Sequence, residues 1–230
     1  MSPPPPRGAR TRARLTVERL RELYPAATEL LHENPFQLLI ATILSAQTTD
    51  RSVNSITPEL FRRYPTAEDL AGADPAAIEK LIKPTGFFRA KTKRIIAASR
   101  KLVELFGGVV PNTMEDLIKI PGIGRKTANV VLGHAYGMNE GIAVDTHVLR
   151  VTNRLGLAEG DDPVEVEAQL RKLVPRERWT RTTDLVIFHG RRVCDARRPA
   201  CGRCTLFDLC GWGSRQSWAN DRGMPARTRR

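Results

Sequence analysis

Leu117-Ile118-Lys119-Ile120-Pro121-Gly122-Ile123-Gly124-Arg125-Lys126-Thr127-Ala128-Asn129-Val130 reads as a helix, a tight hairpin and a second helix. Thr113 and Asp116 stand at capping spacing ahead of the apolar positions Leu117, Ile118 and Ile120, so a short helix starts there and Pro121 stops it. Gly122 and Gly124 allow positive φ and close backbone approach, and from Arg125 a new helix begins whose free amides face the hairpin. Unpaired N–H groups at the positive end of a helix attract an anion without reading any base, which describes a sequence-independent clamp on a DNA phosphate. Taken alone, Pro-Gly-Ile-Gly reads better as an ordinary helix–helix turn.

Working outward, Lys126 falls in the first turn of the second helix, where the helix dipole disfavours an ammonium and is expected to lower its pKa. A lysine so placed is a candidate nucleophile. Nineteen residues on comes Val144-Asp145-Thr146-His147-Val148-Leu149-Arg150, with Asp145 at an N-cap position and Gly156 closing the helix after Leu155. Hydrogen bonds from the helix amides are expected to keep the Asp145 carboxylate ionised. The bland alternatives are a solvated surface lysine and a purely structural cap.

The only cysteines in the chain, Cys194, Cys201, Cys204 and Cys210, lie in one short window with gaps of six, two and five residues. A zinc ribbon normally presents two tight Cys-x-x-Cys knuckles, and only Cys201 to Cys204 has that form. An iron–sulfur cluster accepts wider, uneven loops, because its four thiolates bind separate iron atoms. The spacing therefore points to a [4Fe-4S] cluster ahead of zinc. The absence of a secretory signal places two disulfides further behind.

The combination of Leu-Ile-Lys-Ile-Pro-Gly-Ile-Gly-Arg-Lys-Thr-Ala-Asn-Val-Val, then Ala-Val-Asp-Thr-His-Val-Leu-Arg-Val-Thr-Asn-Arg-Leu, then the four-cysteine window resembles endonuclease III, of the helix-hairpin-helix DNA glycosylases. The likeness runs from about Leu15 to Trp212 and includes Leu44-Ser45-Ala46-Gln47-Thr48-Thr49-Asp50. The resemblance implies that Lys126 is the Schiff-base nucleophile, Asp145 its carboxylate partner, and Cys194, Cys201, Cys204 and Cys210 the ligands of a [4Fe-4S] cluster. It further implies that Gln47 fills the hole left by an extruded base and that the Thr85-Gly86-Phe87-Phe88 loop wedges Phe87 into the opposite strand. Gly122, Gly124 and Arg125 are then expected at the DNA backbone, together with Arg191, Arg197 and Arg198. Two positions depart from the family pattern: Phe87 replaces an aliphatic side chain, and Arg198 replaces a lysine, keeping the charge but changing its geometry. Ser45, Asp50 and His147 are candidate supports, each with a structural alternative: a helix-end hydroxyl, a helix cap and a packed imidazole.

Charge agrees with a polyanionic partner. Lys and Arg number 37 against 25 acidic residues, a formal net charge of +12 over 230 residues. Residues 1–14 hold four arginines and no acid, residues 215–230 five arginines and one aspartate, and the window 191–204 five arginines against Asp195, leaving the rest formally neutral. Charge gathered at so few places suits a DNA-binding edge, and cations also suit four thiolates around a cluster. No apolar run approaches the ~20 residues that span a bilayer, and the N-terminus lacks a signal-type apolar stretch, so the expectation is a cytoplasmic monomer, at the nucleoid if the source is bacterial, with no membrane partner. The composition of 41% hydrophobic residues supplies a real core.

The pattern between the tails predicts an all-α protein, with no sustained period-two alternation. Leu20, Leu23 and Tyr24 mark a first amphipathic helix, and Pro35 to Leu44 a buried one capped by Asn34. Asp74-Pro75 and Asp162-Pro163 start two more, the latter with Glu165 in a capping box, and Gly107-Gly108 ends the helix carrying Lys91, Lys93, Arg94 and Lys101. The resemblance implies a six-helix domain over 28–139 that contains the hairpin, a cluster domain made of 15–27 plus 140–212, and a DNA-binding cleft flanked by the two, with Lys126 and Asp145 on its opposite sides. Residues 1–14 and 213–230 are expected to be disordered basic tails. The activity implied is removal of oxidised pyrimidines from damaged or abasic duplex DNA, with nicking by β-elimination. A monofunctional mismatch glycosylase would lack the nucleophilic lysine, and a non-catalytic iron–sulfur DNA-binding module would need neither Lys126 nor Asp145.

Overall fold

The computed structural model describes residues 4–25 and 27–219. The described residues are helical and contain no β-strand. They divide into two compact units: Thr28–Met138, and Met1–Ala27 together with Asn139–Arg230.

Unit Thr28–Met138 is built from α2 (Pro35–Leu44), α3 (Asp50–Asn54), α4 (Thr57–Arg63), α5 (Ala67–Ala71), α6 (Pro75–Ile82), α7 (Phe88–Phe106), α8 (Met114–Leu117) and α9 (Arg125–Tyr136). Helix α2 starts where Asn34 Oδ1 accepts from Gln37 N at 2.9 Å and Pro35 fills the first position, whose N–H would have no partner anyway. Eight of its ten residues are buried, so it is the central helix against which α7 and α9 pack. Leu38, Leu39, Ile40 and Leu44 meet Leu60, Leu70, Ile78, Ile95, Leu102 and Val131 in one core. Fully burying one such side chain is worth about 1.5–3 kcal/mol. Gly107 and Gly108, both at positive φ, end α7.

The second unit comprises α1 (Ala9–Arg21), α10 (Thr146–Leu155), α11 (Pro163–Arg171), α12 (Trp179–Arg192) and the single turn α13 (Arg215–Ser217). Its core joins Leu20, Val148, Val151, Val166, Leu185, Val186 and Leu206, with α12 packed on both α10 and α1. Gly190 permits the α10–α12 approach, since a Cβ there would stand 3.0 Å from His147 Cβ.

Four local expectations are corrected. Residues 1–14 are not a tail throughout, because α1 already begins at Ala9; Met1–Pro3 lie outside the described residues. Ala9, Ala13, Val17 and Leu20 form one buried stripe, and Arg12 Nη2 donates to Gly156 O at 2.7 Å, so small side chains and one arginine dock a segment that composition marks as an arm. The same helix stops at Arg21, leaving Leu23 49% exposed, while Tyr24 stacks on Phe188. At the other end the segment 213–219 includes the helical turn α13, and 220–230 fall outside the described residues. Glu165 makes no capping box: Asp162 Oδ1 alone caps α11, accepting from Val164 N at 2.9 Å.

Candidate active site and metal centre

The hairpin is assembled from its caps. Thr113 Oγ1 accepts from Asp116 N at 3.2 Å and donates to Asp116 Oδ2 at 2.9 Å, which starts α8. Leu117, Ile120 and Ile123 are buried and anchor the chain as it turns. Gly122 takes φ +84°, and its hydrogen lies over the stem of Arg94, 4.0 Å from where a Cβ would sit. Gly124 departs from expectation: its φ is −99°, extended backbone open to any residue, and it serves as the N-cap of α9. Its missing side chain instead leaves open space at the start of α9, where a Cβ would meet nothing within 4 Å. Arg125 and Lys126 follow at the first two positions of α9, both exposed. The arrangement is an exposed helix start free of side-chain caps, able to accept a phosphate, with an amine beside it.

Two loops of the same unit carry the other expected DNA contacts. Gln47 follows α2 and Phe87 precedes α7, both exposed, Phe87 by 67%. They are the only non-glycine residues at positive φ among the described residues, at 54° and 45°. Such backbone strain, about 1–3 kcal/mol per residue, persists where surrounding structure enforces it and gathers at functional sites. Ser45 Oγ donates back to Thr42 O at 2.8 Å, the helix-end role. The cap of α3 is Thr49, whose Oγ1 accepts from Ser52 N at 3.2 Å, so Asp50 is its first residue rather than its cap.

In the other unit Asp145 is the N-cap of α10. Its Oδ1 accepts from His147 N and Val148 N, both at 2.8 Å, leaving Oδ2 outside these bonds. His147 is a packed imidazole, with Nδ1 3.1 Å from Arg150 Nη2. Burial lowers its pKa, a tendency that Asp145 opposes and Arg150 and Arg191 reinforce. Burial also lowers the pKa of Arg150, which donates to Gly190 O and Cys194 O at 3.1 Å each.

The four cysteines are free thiols that line one small cavity of about 20 Å3 with Arg154, His189 and Trp212. Among the described residues no group of three or more His, Cys, Asp or Glu side chains is placed to hold a metal ion. Four free thiols lining one cavity are the donor set that an iron–sulfur cluster takes. Burial raises the Cys201 and Cys210 pKa values and pushes Cys204 up to about 12, so the thiols must give up protons on binding metal. Cations offset that: Arg154 Nη1 donates to Cys194 Sγ at 3.4 Å and to Asp195 O at 2.7 Å, with its guanidinium 4.2 Å from the Trp212 ring centre. The residues fit a cluster.

Sequence reasoning missed the arginines that stitch these loops. Arg150 and Arg154 stand one turn apart on α10, and Arg19 of α1 donates to Thr205 O and pairs with Asp208. The i,i+4 spacing of Arg150 and Arg154 was the available signal. Asp195 Oδ1 accepts from Arg197 N and Arg198 N at 2.8 Å, and these bonds hold its carboxyl below the usual range. The side chains of Arg191, Arg197 and Arg198 are exposed.

A family model described as HhH-GPD superfamily base excision DNA repair protein matches residues 40–176. The chain is 54% identical over 192 residues to the Endonuclease III of Synechocystis sp., spanning 83% of this chain and 88% of that protein. It is 44% identical over 195 residues to the Endonuclease III of Escherichia coli, spanning 84% and 92%. A solved trapped Endonuclease III–DNA covalent intermediate superposes with a TM-score of 0.85 at 41% identity, over 90% of this chain and 98% of that one. A thermostable thymine-DNA glycosylase shares the fold, with a TM-score of 0.74 at 23% identity.

Proposed function

Because this chain belongs to the endonuclease III family of the HhH-GPD base excision DNA repair superfamily, we propose that Lys126 and Asp145 are its catalytic pair and oxidised pyrimidines in duplex DNA its substrates. The protein is a DNA glycosylase and abasic-site lyase that acts on damaged duplex DNA. The observation that carries the assignment of the pair is the exposed amine of Lys126 at the second position of α9, directly after the hairpin, in a chain that resembles an endonuclease III trapped covalently on DNA.

The chemistry follows from those two groups. The hairpin amides and Arg125 hold backbone phosphate, while Gln47 and Phe87 enter the stack and let the damaged nucleotide turn out. As the bond from C1′ to the base breaks, the base leaves with the electron pair and the sugar becomes cationic. The Asp145 carboxylate stabilises that charge and takes part in freeing Lys126 of its proton. Neutral Lys126 Nζ then bonds to C1′, and opening of the sugar ring gives an iminium. The iminium acidifies the C2′ hydrogen; its loss to base pushes the electrons through C2′–C3′ and expels the 3′ phosphate. Water finally releases the amine. Cys194, Cys201, Cys204 and Cys210 would hold a [4Fe-4S] cluster, which supplies metal-binding free energy that orders their loops and the exposed Arg191, Arg197 and Arg198.

A panel of duplexes, each with one oxidised pyrimidine, one mismatch or one abasic site, tests this reading. Nicked product ending in a 3′ unsaturated aldehyde is expected from the oxidised and abasic duplexes. Base release without a nick would place the protein among monofunctional glycosylases, and retention of all substrates intact would leave only a binding module.

A further inference from the structure

Lys91 is 2% exposed, the largest side chain among those fully buried. An ammonium is expensive to bury, and a methionine would fill the same length without that penalty. Its Nζ donates to Thr85 O at 2.7 Å. That carbonyl belongs to the loop which ends in Phe87. Each of the three carbonyls before Gly86 is engaged: Lys83 O accepts from Gly86 N at 3.2 Å, Pro84 O from Ser52 Oγ at 3.0 Å, and Thr85 O from Lys91. Thr85 is itself buried, its hydroxyl donating to Ile82 O at 2.7 Å. Beyond this fixed base Phe87 stands exposed in left-handed backbone, a conformation an aromatic residue relaxes from unless it is held. Ser52 also ties the loop to α3, the helix that follows the strained Gln47. Burial, with Arg94 nearby, lowers the Lys91 pKa, in keeping with an amine that faces protein rather than water or phosphate.

We propose that Lys91 and Ser52 form a clamp that holds Phe87 in its strained, outward position, so that Lys91 is a positioning residue for insertion into DNA and not a surface cation. The inference rests on the reading above that Phe87 enters the duplex. Holding Phe87 in advance removes the ordering penalty from the binding step, so loosening the clamp weakens lesion binding while leaving the attacking amine untouched.

The test uses the full chain as wild type, Phe87→Ala, Lys91→Met, Ser52→Ala and the Phe87→Ala/Lys91→Met double variant. Binding is measured on a duplex with a reduced abasic analogue, and borohydride trapping on the aldehydic abasic duplex. Phe87→Ala is expected to weaken binding by roughly 5- to 100-fold, the range of one base–aromatic stack. Lys91→Met should weaken it by a similar factor, and the double variant by no more than the larger single loss, because both remove one presented ring. At saturating DNA Lys91→Met should still give trapped adduct, and its Gly86 and Phe87 amides should exchange faster with solvent. Wild-type binding by Lys91→Met, or a double loss equal to the product of the singles, overturns the clamp. Should Lys91→Met fail to fold, Ser52→Ala serves: a smaller loss, absent in the Phe87→Ala background, supports the clamp, and no loss overturns it. If wild type forms no adduct, the proposed function fails, whereas wild-type adduct with unimpaired Phe87→Ala removes the clamp's purpose and the inference alone.

Discussion

Asp145 has two duties that one substitution separates. As N-cap it contributes about 1 kcal/mol, and asparagine caps as well as aspartate. Asp145→Asn is therefore expected to melt within a degree or two of wild type by the cap argument, yet to excise damaged bases about 10²- to 10³-fold more slowly, since a neutral amide cannot stabilise a cationic sugar. Paired thermal melts and single-turnover excision assays read both; equal losses in each would make Asp145 a cap only. Lys91 offers a second residue-scale test. Burial sets its folded pKa below the ordinary 10.5, so between that value and 10.5 the unfolded chain binds more protons and stability rises with pH. As pH is raised toward 10.5, urea midpoints should gain for wild type relative to Lys91→Met, and parallel curves would contradict this. The placements of Lys126 at a helix start, Asp145 at a helix cap and the cysteines around one cavity were legible because glycines, capping pattern and spacing mark them. Lys91 was not, because it reads as one of six basic residues of α7. Its place one turn before buried Ile95, on the face that continues to Ala98 and Leu102, was the clue to its burial.

Helix starts were the most readable elements. Asn34, Asp74, Thr113 and Asp145 each cap a helix where polar oxygen meets unpaired amide. Gly124 shows the limit: a glycine signals permission for positive φ, not its use, and here φ is −99°. The start of α1 was hidden because arginines and prolines dominate residues 1–14 while Ala9 and Ala13, the residues that pack, are small. Deleting 1–14 removes Ala9 and Ala13 of the buried stripe and the Arg12–Gly156 bond, so it should lower the melting temperature as well as the charge; an unchanged melt would show that α1 docks without them. The cysteine loops lean on α10 and α1 through Arg154 and Arg19, and a cluster would complete them. Cys201→Ser is expected to lose iron and sulfide and to unfold more readily, since metal-binding free energy becomes folding free energy. Stoichiometric zinc without labile sulfide in the wild type would overturn the cluster.

At the scale of the molecule, composition gave a helical, basic chain but no mark of where it divides. No linker separates the units; two separate sets of buried residues do, and α1 joins α10–α12 across most of the sequence. No helix among the described residues is long and apolar enough to cross a membrane. Removing residues 220–230 takes away four arginines and one aspartate, so DNA binding should weaken with a shallower salt dependence while chemistry at saturation survives. An unchanged slope would exclude those arginines as phosphate contacts. The proposed mechanism requires one covalent bond between Lys126 Nζ and C1′, and borohydride reduction of the protein on an abasic duplex, followed by peptide mapping, observes it. The expected result is a single protein–DNA adduct on Lys126 that disappears in Lys126→Gln while DNA binding remains. An adduct on Lys119, Lys91 or the N-terminal amine, or base release with no adduct at all, would contradict it.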